Sequence, residues 1–240
     1  MKDNGLEPHK WKVEHVANVG GDEEFVKQML ELGTILEAGT IFDPQREEVK
    51  HSIISILMDG LTPAFLELEQ IRASMGKQLP LMNREQLYED FARKLWKAYK
   101  ELMQKAAEQI GFKIGFIFRP DKEFRQGLLE LRTQHPTIRD WFEQFLEETR
   151  DNWQNDLSRF RNTWIEHQKG ERRQFDKFYK PEYAEKVFND AWNAIVTIIA
   201  AMLETHLPHG IRLIEQDKND PSPKWPNRFR YSHPMFQQMK

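Results

Sequence analysis

The chain contains no cysteine, which excludes disulfide staples, thiolate zinc sites and cysteine nucleophiles, and fits a reducing compartment. It also lacks a long apolar run. The longest, Ala194 to Leu203 interrupted only by Thr197, is about half the length that spans a bilayer. Residues 1–12 are polar and carry no apolar core of the kind a secretion signal needs. The expectation is a cytoplasmic protein that does not enter a membrane. An excess of one charge is missing too: 35 Lys and Arg stand against 38 Asp and Glu, a formal net charge of −3. That argues against a protein that coats nucleic acid through overall basicity. No Gly-x-Ser-x-Gly elbow and no phosphate-cradling glycine loop occur, which removes the hydrolase and nucleotide-binding chemistries those motifs serve. There is no internal repeat and no low-complexity tract.

What the chain does have is apolar residues at helical spacing. Its 240 residues suffice for one large domain or two small ones with a substantial core. Residues 1–22 show no period and read as an extended arm. Phe25, Val26, Met29, Leu30, Leu32 and Leu36 then mark a first helix over residues 23–37. Asp43 before Pro44 is a helix start, and the helix that follows carries Ile53, Ile54, Leu57, Leu61, Phe65, Leu68 and Ile71. Pro63 should bend or split it. Asn83 with Gln86 has the form of a capping box for a helix with Leu87, Phe91, Leu95, Leu102 and Ile110 on one face, and Gly111 is its stop. Residues 113–118 read as a packed connector, and residues 122–132 as a shorter helix.

The strongest helix signal begins at Thr137. Ile138, Trp141, Phe142, Phe145, Leu146, Trp153, Leu157, Phe160 and Trp164 make one sustained stripe. A turn-rich basic segment, residues 168–180, separates it from a last helix opened by Pro181 and ended by Pro208. The fold class expected is all-α, a helical bundle of about five to six helices over residues 23–207. An N-terminal arm precedes it, and an irregular, basic, proline-rich tail over residues 208–240 follows.

Chemistry concentrates where the strongest helix ends, in Arg161-Asn162-Thr163-Trp164-Ile165-Glu166-His167. Between Arg159 and Lys180 there are seven basic and three acidic residues, so the overall charge hides a local basic stretch. An arginine, an amide and a histidine at one helix end can hold a phosphate and move a proton. On a straight α-helix, however, Arg161 and His167 stand roughly 120° apart. They meet only if the helix frays or if a second copy contributes. On this geometry alone the plainer reading is stronger: a helix-terminal histidine on the C-terminal dipole and a surface arginine.

An arginine followed by a polar residue and, five residues on, a histidine, placed before the last helix of an all-α domain, resembles the HEPN superfamily of helical bundles. The overlap runs from about residue 83 to residue 207. The resemblance implies metal-independent RNA cleavage of the kind found in toxin–antitoxin, defence and RNA-processing systems, with no cofactor. It implies that His167 moves the proton, its ordinary pKa suiting neutral pH. Arg161 would neutralise charge building on the phosphate, and Asn162 would orient the histidine or a phosphate. Lys169, Arg172 and Arg173 would attract the RNA backbone. A homodimer is implied, its paired sites resolving the angular problem, and an antitoxin or other protein partner is a further expectation. Other members of that superfamily are non-catalytic, so a helical RNA- or protein-interaction module is the alternative.

Other constellations are weaker. Glu48 and His51 form a single Glu-x-x-His, half of a di-iron site whose second copy is absent. His206 and His209 have no carboxylate or third ligand close in sequence and read as a helix end, so no metal is expected. Trp225, Phe229, Tyr231 and Phe236 interleave with Arg228 and Arg230. That mixture suits stacking on single-stranded RNA or docking on a partner, but the plainer reading is a segment packed back on the bundle.

Overall fold

A computed structural model describes residues 22–42, 47–75, 81–109, 111–134, 140–206, 212–215 and 229–232. The arm over residues 1–21, the Asp43-Pro44 helix start, Thr137 and His209 lie outside them. Six helices make the bundle among the described residues. They are α1 (Asp22–Phe42), α2 (residues 47–73), α3 (Leu81–Gln109), α4 (Asp121–Gln134), α5 (residues 140–165) and α6 (Pro181–His206). No helix among the described residues is long and apolar enough to cross a membrane.

Helix α6 is the axis. Residues 191–200 are all buried, as expected of a helix surrounded on every side. It packs on α1, on the second half of α2 and on α3. Phe25 of α1 stacks on Phe65 of α2 at 4.1 Å between ring centroids and meets Phe188 and Trp192 of α6 edge-on. The Trp192 indole N–H donates to Gln28 Oε1 at 2.7 Å, satisfying a polar atom that burial would otherwise leave costly.

Pro63 does not split α2, which runs on through it. The five residues Leu57–Leu61 widen into a π turn, and Pro63 falls in the first turn of the α segment Thr62–Ala73. Both the backbone N–H and the hydroxyl of Thr62 point to the Leu57 carbonyl. A proline has no N–H to contribute here, and the widened turn absorbs the mismatch. Gly60 within it lies so close to Ala98 of α3 that a Cβ would stand 3.1 Å from the alanine's.

Helix α3 is helical from Leu81, so Asn83 sits inside its first turn and not at a cap. Pro80 precedes it in the sequence, and proline favours the first helical positions. Its other end follows expectation. Gly111 has φ +83°, its N–H bonds to the Glu108 carbonyl, and that of Phe112 bonds to the Ala107 carbonyl. This pair of bonds is a Schellman cap. The connector after it winds into a 3₁₀ turn at Gly115–Phe118 with Ile114 and Ile117 buried.

The segment read as an irregular tail contains regular structure. Strands β1 (Arg212–Glu215) and β2 (Phe229–Ser232) pair antiparallel, with Leu213 opposite Tyr231 and Ile214 opposite Arg230. β1 lies beside α6 and β2 beside α1, so these residues lie against the bundle. Neither four-residue segment has enough alternation to stand out among the prolines around it.

Candidate functional site

Helix α5 carries the site, and it is not a uniform α-helix. Two π turns interrupt it, Arg150–Gln154 and Phe160–Ile165. Each adds one residue to a turn, so the buried face shifts without the helix breaking. The first turn faces inward. Arg150 is buried, and its Nη1 donates to the carbonyls of Ile117 and Arg119 at 2.9 Å each, while Nη2 pairs with Asp121 at 2.6 Å. The guanidinium lies 4.4 Å over the ring of Phe124. Gln154, one turn on, donates to the same Ile117 carbonyl and accepts from the Tyr99 hydroxyl at 2.8 Å. The Arg150 guanidinium beside Asp121 holds that carboxyl below its ordinary pKa, by hydrogen bond first and charge second. Burial pushes the Tyr99 hydroxyl well up, so it remains a donor.

The second π turn holds the Arg161-Asn162 end of the Arg-Asn-x₄-His segment. The Glu166 N–H bonds to the Arg161 carbonyl five residues back at 2.9 Å. Arg161 is half-buried. Its Nη1 donates to Asn162 Oδ1 at 3.0 Å, and its Nη2 pairs with the Glu166 carboxylate. Asn162 is exposed, and its amide donates to Ser158 Oγ at 3.3 Å. His167 is exposed in the turn beyond and has no hydrogen-bond or ion-pair partner among the described residues. Gln168 follows with φ +45°, a left-handed conformation uncommon outside glycine. It lets the Lys169 N–H close on the Thr163 carbonyl at 2.7 Å. The structure therefore joins Arg161 to Asn162 and brings Glu166 into the group. It does not join His167 to Arg161 by a hydrogen bond.

The basic segment is docked, not free. Phe178 stacks on Phe160 at 4.5 Å with an 8° tilt, and Phe175 packs against Phe160 and Trp164. Trp164 donates its indole N–H to the Tyr179 hydroxyl at 2.7 Å, and that hydroxyl reaches Glu89 of α3 at 3.2 Å. Burial, reinforced by the Glu89 charge, pushes the Tyr179 pKa well above its ordinary value. Arg172 pairs with Glu85 of α3, and Lys177 with Asp156. Lys169 and Arg173 are exposed and have no side-chain partner among the described residues.

Comparison with protein-family models, with curated proteins and with solved structures finds no match to this chain.

Of the other expected positions, Glu48 and His51 are both exposed. No group of three or more His, Cys, Asp or Glu that could hold a metal ion occurs among the described residues. Helical spacing did not reveal Glu166, because five residues is not a helix repeat unless the turn is widened. Arg150 did leave a signal: a charged residue four positions after Leu146 on the longest apolar stripe. Chemically, the surface end of α5 offers an arginine in an exposed pair and an unpartnered imidazole. The four basic residues of the expected set differ in availability, since Arg161 and Arg172 hold carboxylates and Lys169 and Arg173 do not.

Proposed function

We propose that this chain is a HEPN-like, metal-independent endoribonuclease of a defence or toxin–antitoxin type, working as a homodimer in the cytoplasm. The observation that carries the reading is that residues 160–167 depart from regular helix where the chemistry lies. Arg161 and Asn162 sit in a π turn, His167 stands exposed just after it, and a left-handed Gln168 closes the end. A π turn that turns polar groups outward and a left-handed non-glycine residue beside it are features often met at functional sites. In this reading the ribose 2′-hydroxyl attacks the adjacent phosphorus and displaces the 5′-oxygen of the next nucleotide. His167 transfers the proton, Arg161 neutralises the phosphate oxygens, and Asn162 holds the Arg161 fork in place. Lys169 and Arg173 supply backbone attraction, with Arg172 joining only if it leaves Glu85.

The test is cleavage of a mixed RNA pool in excess EDTA by the wild type, Arg161→Ala and His167→Ala. Cleavage by the wild type alone, leaving 2′,3′-cyclic phosphate ends, is the expected result. No cleavage by any of the three, all folded, overturns the enzyme reading. One observation favours a second reading, a non-catalytic RNA- or protein-interaction module: the pairing of Arg161 and Arg172 with Glu166 and Glu85. RNA binding that charge reversal at Arg172 and Arg173 abolishes, with no cleavage, would establish it.

A further inference from the structure

The terminal nitrogens of Arg161 are not idle. Nη1 holds the Asn162 amide oxygen and Nη2 holds a Glu166 carboxylate oxygen. With Asn162 keeping Nη1, the carboxylate oxygen on Nη2 stands where an oxygen of a phosphodiester would sit on an arginine. The π turn is what arranges this. In an uninterrupted α-helix the residue stacked over Arg161 would be Ile165, four positions on. The widened turn instead buries Ile165 and sets Glu166, five positions on, over the arginine. Nothing about the C-terminus of a helix favours a glutamate, since the dipole there repels negative charge. The Arg161 and Glu166 side chains are 30% and 39% exposed, so the pair is the kind that solvent and competing anions exchange readily.

We propose that Glu166 is a built-in occupant of the phosphate seat on Arg161, and that a phosphodiester of single-stranded RNA binds there by displacing it. This rests on the reading of Arg161 as a phosphate-binding residue. Glu166 keeps the arginine extended and its fork aligned in the free protein, and its negative charge weakens the affinity of the site for RNA. It touches the arginine and not the reacting atoms, so it is a positioning residue that tunes affinity.

The experiment is binding of a fluorescent, 2′-O-methylated oligonucleotide, which cannot be cleaved, at fixed low salt. The proteins are wild type, Glu166→Gln, Arg161→Ala and the double variant. Glu166→Gln keeps the side chain's size at an exposed position and leaves the fold intact, which circular dichroism checks. The expected result is about fivefold tighter binding by Glu166→Gln, the equivalent of one exposed ion pair, with the gain lost in the double variant. If the gain persists without Arg161, Glu166 acts only as a general negative charge and the proposal is wrong. If Glu166→Gln changes nothing while Arg161→Ala weakens binding, the proposal fails and the phosphate-site reading stands. If neither substitution alters binding, both fall together.

Discussion

Helix α5 places two arginines in two π turns about ten residues apart, and they are opposites. Arg150 is buried, and its terminal nitrogens are spent on two backbone carbonyls and one carboxylate of another segment. Arg161 is at the surface, and both of its recorded partners are side chains within five residues of it. The same side chain on the same helix thus serves two ends. One guanidinium is buried and ties distant chain together. The other is held only locally, by groups that water or a ligand can replace. A widened turn is therefore not in itself a sign of function, since the first one serves packing. What distinguishes the second is that its departure from helix exposes chemistry in place of burying it.

The comparison breaks first if Arg150 proves dispensable. Arg150→Ala would leave the Arg119 carbonyl without its donor, leave the Ile117 carbonyl with Gln154 alone, and open a void beside Phe124. An unsatisfied acceptor out of water costs about 1–3 kcal/mol, and with the void the expected loss is about 2–3 kcal/mol. It would be read as a fall in the urea midpoint at unchanged slope. A loss below about 1 kcal/mol would mean the connector is held by its apolar residues alone. The same end of the helix has a second test. Phe116 of that connector lies over Gly127 of α4 so closely that a Cβ there would stand 2.1 Å from the ring. Gly127→Ala must push the ring out, at about 1–3 kcal/mol. Gly33, with nothing near its Cβ position, is the control.

A third test uses pH. The Asp121 carboxyl is lowered from its ordinary value of 3.8 by its hydrogen bond from Arg150. A group whose folded pKa is depressed contributes stability that is fully present above the unfolded pKa. That contribution is lost as pH falls through the folded value. Wild type should therefore be more stable than Asp121→Asn at neutral pH, and the gap should close as pH drops below about 4. The effect is smaller than the first two, because the carboxylate is open to water while the arginine also holds two carbonyls. A gap that stayed constant down to pH 2 would detach Asp121 from the clamp.

How legible this was in the sequence divides along the same line. The apolar stripes, with their starts and stops, placed all six helices, because burial needs only a period. The Schellman stop at Gly111 was legible because only a left-handed residue closes a helix that way. Asn83 misled, since an asparagine three positions before Gln86 has the form of a cap whether or not the helix has already begun upstream. The two π turns were illegible. They arise where tertiary packing asks one residue more of a turn, and no local propensity encodes that. Straight-helix geometry consequently set Arg161 and His167 apart, and it also concealed the residue that does contact Arg161, which is Glu166. The tail strands were hidden for a related reason: four-residue segments are too short to show a period of two.

The smallest effect is the most discriminating. Arg161→Ala should change stability by no more than about 0.5 kcal/mol, because an exposed ion pair is worth little and Glu166 is hydrated readily once released. Truncation of an arginine to alanine in a π turn of α5 is thus expected to be severe at position 150 and nearly silent at position 161, with denaturation measured under one set of conditions. A large loss at 161 would mean that the Arg161, Asn162 and Ser158 chain of hydrogen bonds holds the helix end together. The residue would then belong with Arg150 as structure, and any loss of RNA cleavage in the variant would reflect a damaged fold. Near-silence removes that explanation. It leaves an arginine that folding does not need, held at a helix end by Asn162 and Glu166, and makes the cleavage and binding comparisons at 161 and 166 tests of chemistry alone.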